Sequence, residues 1–140
     1  MPLTDQDRKT FAGVADRLVP AHGRMPAASA VKVEGELLDL VLRARPDLEE
    51  GLARALKACA GKDPSQAVNA LHGSDADAFG ALSLAVTGAY YMADEVWKQL
   101  GYPGQAPGGS YDPHDTPDYL TDGTLERVVR RGSLYRPTPR

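Results

Sequence analysis

Asp112-Pro113-His114-Asp115 sets two carboxylates around one imidazole and is the only cluster in the chain with the character of a metal-ligand set. Such ligands bind an ion only when a defined scaffold holds them in place. Here the neighbours are prolines and glycines, which place the cluster on a loop. The favoured reading is a solvated turn; a loop that binds a metal or small ligand through residues 112–115 is the competing one.

The single cysteine, Cys59, is the other candidate for bond chemistry. It follows Ala55, Leu52 and Leu48 by four, seven and eleven residues, the spacing of one helical face. Cys59 therefore reads as a small buried hydrophobe rather than a reactive thiol, and it has no partner for an internal disulfide. His22 lies in the loop Ala21-His22-Gly23-Arg24-Met25-Pro26 and reads as solvated. His72 closes a short amphipathic segment, where it can face free carbonyls. Gly104, Gly108 and Gly109 follow no strand and open no clear helix, so they do not form a phosphate cradle. Ser110 and Ser133 have no visible base or nucleophile elbow, and there is no His-Glu-x-x-His or paired-cysteine motif. The residues therefore name no reaction, and no catalytic, cofactor-binding or metal residue is assigned.

The elements that carry these residues are helical. The 140 residues are enough for one domain with a sizeable core, and 42% hydrophobic with 25% charged residues is ordinary for a globular chain. A net charge of −3 disfavours a nucleic-acid partner, which calls for a basic face. No run approaches the roughly 20 apolar residues that span a bilayer. Met1-Pro2-Leu3-Thr4-Asp5-Gln6-Asp7-Arg8 lacks a basic segment followed by an apolar one, so the chain as written is expected in the cytoplasm, or in the periplasm if a partner exports it.

Thr4 followed by Asp7 resembles an N-cap with an acid in the first turn, and Phe11, Val14, Ala15 and Leu18 then recur at helical spacing up to Pro20. A second helix is expected from Ser29 to Ala44 with Val33, Leu37, Leu38, Val41 and Leu42 on its apolar stripe, ended by Pro46. Asp47 is placed to cap a third, and Gly61 stops it. Asp63-Pro64 is a good helix opening, and Ser74 with Asp77 looks like another capping pair. From Ala76 to Met92 only Asp77 is ionisable by acid and no lysine or arginine occurs, so this segment is expected to be the central helix of a bundle. Gly101 and Pro103 end the helical part, with Val96 and Leu100 on one face before them. The fold class is all-α, a single-domain bundle of five or six helices over residues 1–100, followed by a long Gly/Pro/Tyr-rich tail over residues 101–140.

That tail has its own character. Eight of the seventeen residues at 101–117 are glycine or proline, and the charge turns basic from Thr124, with Arg127, Arg130, Arg131, Arg136 and Arg140 against Glu126 alone. A short helix is expected through Leu125, Val128 and Val129, stopped by Gly132, with Leu134-Tyr135-Arg136-Pro137 extended. All six tyrosines and Trp97 come after residue 89. Tyrosine, tryptophan and arginine gathered in a loop-rich third match the composition of protein–protein hot spots.

Several stretches in order resemble the gluconate 2-dehydrogenase subunit 3 family. They are Leu3-Thr4 through Phe11, Ala15-Asp16-Arg17-Leu18-Val19-Pro20, Met25-Pro26-Ala27-Ala28-Ser29, Tyr90-Tyr91-Met92, Val96, Leu100-Gly101-Tyr102-Pro103-Gly104-Gln105, Tyr119-Leu120-Thr121-Asp122-Gly123 and Arg131-Gly132-Ser133-Leu134-Tyr135-Arg136. The tyrosine pair followed by Gly-Tyr-Pro-Gly is the most specific of them. The chain departs from the family in Ala93-Asp94-Glu95, where an acid and a proline are expected after Met92, and in having no twin-arginine segment before Leu3-Thr4.

The resemblance implies a non-catalytic small subunit that binds, stabilises or helps mature a large subunit of the glucose-methanol-choline type. That partner holds FAD and oxidises a sugar or glycoside, and in some members a cytochrome c subunit takes the electrons. No cofactor is expected in this chain. The partner-facing candidates are Tyr90, Tyr91, Met92, Val96, Trp97, Leu100, Tyr102, Pro103, Tyr111, Tyr135 and Arg136.

Overall fold

Thr4 opens the first helix as its spacing to Asp7 predicts. In the computed structural model, which describes residues 3–105 and 117–132, the Thr4 hydroxyl accepts from the Asp7 backbone N–H at 3.1 Å and the Asp7 carboxylate accepts from the Thr4 backbone N–H at 2.9 Å. This reciprocal capping box satisfies two backbone donors that would otherwise be orphaned. The Thr4 hydroxyl also donates to the Asp7 carboxylate at 2.7 Å, and this bond first, then the one from the Thr4 N–H, holds the Asp7 carboxyl below its ordinary value.

Among the described residues the fold is all-α, with eight α-helices and no strand beyond an isolated bridge between His22 and Met25. The chain divides into two units, Met1–Gly104 and Gln105–Arg140. The first holds α1 (Asp5–Leu18), α2 (Leu38–Ala44), α3 (Glu49–Cys59), α4 (Pro64–Ser74), α5 (Ala76–Tyr91) and α6 (Asp94–Leu100). The second holds α7 (Asp118–Thr121) and α8 (Glu126–Arg131), the latter where the apolar spacing of residues 125–129 predicts a helix. The expected extended segment at residues 134–137 lies outside the described residues.

The core of the first unit gathers Phe11 and Val14 from α1, Leu38 and Val41 from α2, Leu52 and Leu56 from α3, Val68 and Leu71 from α4, and Leu82 and Val86 from α5. Cys59 is buried among them at 2% exposure, as its spacing predicts, and burial pushes its thiol above the ordinary value. The helix α5 is the element against which α1, α2, α3, α4 and α6 pack. It is not enclosed all round, however. Ala78, Ala81, Leu82, Ala85, Val86, Ala89 and Tyr90 are buried, while Leu84 and Tyr91 are 52% and 53% exposed on the opposite face. The low charge of α5 reflects small residues rather than bulk: alanine and glycine let neighbouring helices approach closely on one side only.

Three local expectations are corrected. The segment from Ser29 to Ala44 is not one helix. A 3-10 turn (Ser29–Val31) is followed by Lys32 in the left-handed conformation, a wide turn (Val33–Leu37) with non-helical Gly35, and only then α2. Long-range contacts hold this break. The Asp16 carboxylate accepts from the Ser29 N–H at 2.7 Å and its hydroxyl at 2.6 Å. The Arg8 guanidinium donates to the Glu34 carbonyl at 2.6 Å, to the Gly35 carbonyl at 3.3 Å and to the Asp39 carboxylate at 2.8 Å. Asp47 does not cap α3; it pairs with Arg45 through two bonds of 2.8 and 2.6 Å, which hold its carboxyl low. Asp75 rather than Ser74 caps α5, accepting from the Ala78 N–H at 2.9 Å while its other oxygen takes Arg54 Nε at 3.0 Å. That pairing with Arg54, followed by the cap, holds the Asp75 carboxyl below its ordinary value.

The role of Arg8 is testable. Arg8→Met keeps the aliphatic stem but strips two part-buried carbonyls and Asp39 of their donor, and is expected to lower the unfolding free energy by about 2 kcal/mol. Arg8→Lys restores only part of this, because one ammonium cannot span three acceptors. Equal denaturation midpoints for wild type and Arg8→Met would show that local sequence, not Arg8, sets the break.

Candidate partner-binding surface

The junction of α5 and α6 is built by backbone geometry before any side chain is presented. Met92 caps α5, its N–H donating to the Ala89 carbonyl at 3.3 Å and the Ala93 N–H to the Tyr90 carbonyl at 3.1 Å, and Ala93 turns extended before α6 begins. Asp94 and Glu95 then occupy the first turn of α6, where the helix dipole favours negative charge. Ala93 is 6% exposed and Val96 is fully buried, so the corner is packed against the core.

At the other end of α6, Gly101 adopts φ 68°, as its position predicts. The Tyr102 N–H donates to the Trp97 carbonyl at 2.9 Å and the Gly101 N–H to the Lys98 carbonyl at 3.2 Å. These two bonds define a Schellman cap, which is commonly accompanied by apolar contact between the residues it joins. Here that contact is between Trp97 and Tyr102, whose rings meet edge-on with centroids 5.4 Å apart. The Trp97 indole N–H also donates to the Tyr91 carbonyl, tying the end of α5 to the turn after α6.

This scaffold decides which expected interface residues face outward. Tyr91 is 53%, Met92 38%, Leu100 54% and Tyr102 47% exposed, and Pro103 is also exposed. Trp97 is half-buried and acts as the clamp between Tyr91 and Tyr102. Two expectations are corrected. Tyr90 and Val96 lie inside this protomer's own core, because α5 and α6 both turn those positions toward the other helices. The Tyr90 hydroxyl donates to the Pro26 carbonyl at 2.8 Å, and burial first, then the neighbouring Tyr91, pushes it above its ordinary value. Tyr111, Tyr135 and Arg136 lie outside the described residues, as does the loop at 112–115.

Beside the exposed set runs a cleft of about 500 Å³, lined by Pro26 from the loop after α1, by Val31 and Leu37 from the broken segment and by Met92 and Ala93 from the junction, with Asp94 and Glu95 on its wall. The bond from Tyr90 to Pro26 fixes one wall relative to the other. The contribution of Val31 and Leu37 was not legible in sequence, because an unbroken helix from Ser29 to Ala44 would have carried them in a different orientation. The cleft and its rim offer apolar contact and two carboxylates, which suits them to recognition of another chain. Among the described residues no group of three or more histidine, cysteine or acidic side chains is placed to hold a metal ion, and no helix is long and apolar enough to cross a membrane.

Comparisons of this chain with protein-family models, with curated proteins and with solved structures find no match.

Proposed function

We propose that this chain is a non-catalytic small subunit that binds and stabilises, or helps mature, an FAD-dependent sugar or glycoside dehydrogenase of the glucose-methanol-choline type. In this reading the flavin and the oxidation belong to the partner, and a cytochrome c subunit serves as electron acceptor in some assemblies. The observation that carries the reading is the presentation of Tyr91, Met92, Leu100 and Tyr102, each 38% exposed or more, around a junction clamped by Trp97. The Tyr102 and Tyr91 rings each meet a neighbouring ring edge-on, and side chains already held in place lose little freedom when a partner covers them, so their burial is available as binding energy. The resemblance of Tyr90-Tyr91-Met92 and Gly101-Tyr102-Pro103-Gly104 to the subunit 3 family supplies the class of partner.

Co-expression with a flavoprotein of this type encoded beside the chain tests the proposal. The expected product is a stoichiometric complex that carries flavin absorbance and reduces a dye with sugar, while neither polypeptide alone is both soluble and active. Separate elution of two folded chains, with the flavoprotein fully active by itself, would refute it.

A further inference from the structure

Among the described residues, the second unit contains two short helices joined by the turn at residues 122–125, a helical hairpin in connectivity, and its large apolar side chains are exposed. Tyr119 is 51%, Leu120 55%, Val128 54% and Val129 76% exposed. Leu120, Leu125 and Val129 line a cleft of about 440 Å³ beside Glu126 and Arg130. The connection between the helices is organised locally: the Asp122 carboxylate accepts from the Thr124 N–H at 2.8 Å, and Gly123 takes φ 85°. An ordered element that leaves its largest apolar groups in water is the pattern of a binding surface rather than of a folding core.

Charge selects the occupant. The helix α8 carries Arg127, Arg130 and Arg131 against Glu126 alone, and Glu126 is already engaged by Arg130 at 3.1 Å. No carboxylate among the described residues lies within ion-pair reach of Arg127 or Arg131. Two copies of α8 laid against each other would bring these arginines together, and like charges across an interface oppose association. Asp118 opens α7 and Asp122 follows it, so the free arginines of this segment are confined to α8. We propose that the hairpin is a second docking element, seated in an apolar groove of the flavoprotein large subunit that is rimmed by carboxylates where it receives α8. The inference rests on the small-subunit reading and adds to it the partner chemistry at this surface.

The test compares the wild-type chain with Val129→Ser and with Arg127→Glu/Arg131→Glu for affinity toward the purified large subunit at low and high salt. All three full-length chains should melt alike, since the altered groups are exposed. Each variant is expected to raise Kd about tenfold or more, and the charge reversal to flatten the salt dependence. Unchanged affinity of both variants, with the wild-type complex intact, overturns the hairpin proposal and leaves the small-subunit reading standing; failure of the wild-type chain to bind overturns both. Self-association abolished by Val129→Ser would instead assign the surface to a second copy. Binding to phosphatidylserine–phosphatidylcholine vesicles abolished by the charge reversal would assign it to a membrane. Either result overturns the proposal.

Discussion

Gly51→Val is expected to lower the unfolding free energy by about 3 kcal/mol, although valine is the better helix former. A Cβ at Gly51 would stand 2.7 Å from the Ala81 Cβ, 3.6 Å from the Asp77 carbonyl and 3.8 Å from the Ala78 Cα. The crossing of α3 over α5 is therefore too close for a side chain: the obstacle is the Ala81 Cβ, which no rotamer can move, while the two backbone atoms stand at ordinary contact distance. Gly51→Ala gives the sharper sign test. Helix propensity alone would make it stabilising by about 1 kcal/mol, whereas overpacking a close helix crossing costs roughly 1–3 kcal/mol, so the net effect is destabilising. Gly80→Ala on α5 is the control: nothing lies within 4 Å of the added Cβ, and propensity should then raise stability by up to about 1 kcal/mol. Combining Gly51→Ala with Ala81→Gly should recover part of the loss, a coupling that denaturant titration of the four proteins reads directly. A stabilised Gly51→Ala would mean that α3 and α5 are further apart than the structure places them.

Tyr102→Ala is expected to weaken assembly with the flavoprotein by about 30- to 100-fold, the range of a hot-spot aromatic, and Tyr91→Ala by a similar factor. Both rings are about half exposed, so neither truncation opens a cavity and the melting temperature of the isolated chain should barely change. Tyr90→Phe separates partner contact from packing. It removes the hydroxyl bonded to the Pro26 carbonyl, should lower stability by about 1 kcal/mol, and should leave affinity near that of the wild type. Trp97→Ala lies between the two, since it removes the clamp that orients both Tyr91 and Tyr102, and should lower affinity and stability together. Isothermal titration on the four variants checks the ordering. Equal affinity for wild type and Tyr102→Ala would remove the α6 turn from the interface.

Much of the helical framework was legible because its signals are local. The Thr4–Asp7 box, the Asp63 cap before Pro64 and the left-handed Gly101 each depend on residues within one turn of one another. The spacing of Phe11, Val14 and Ala15, and of Leu52, Ala55, Leu56 and Cys59, likewise marked the faces that are buried. The readings that failed involve competition between a local signal and a distant one. Asp47 has the right position to cap α3, but Arg45 claims both of its oxygens. Apolar spacing continues through residues 29–44, yet Asp16 and Arg8, both on α1, hold that segment in a broken path.

The candidate site divides along the same line. That an aromatic, arginine-rich region follows a helical bundle is a matter of composition and order, and the amino-acid sequence alone determined it. Which of two adjacent tyrosines is open was decided by tertiary structure: Tyr90 reaches across to the Pro26 carbonyl and is 3% exposed, while Tyr91, one position on, is 53% exposed. Successive helical residues point about 100° apart, so where α5 settles against its neighbours decides which ring is buried and which is offered to a partner.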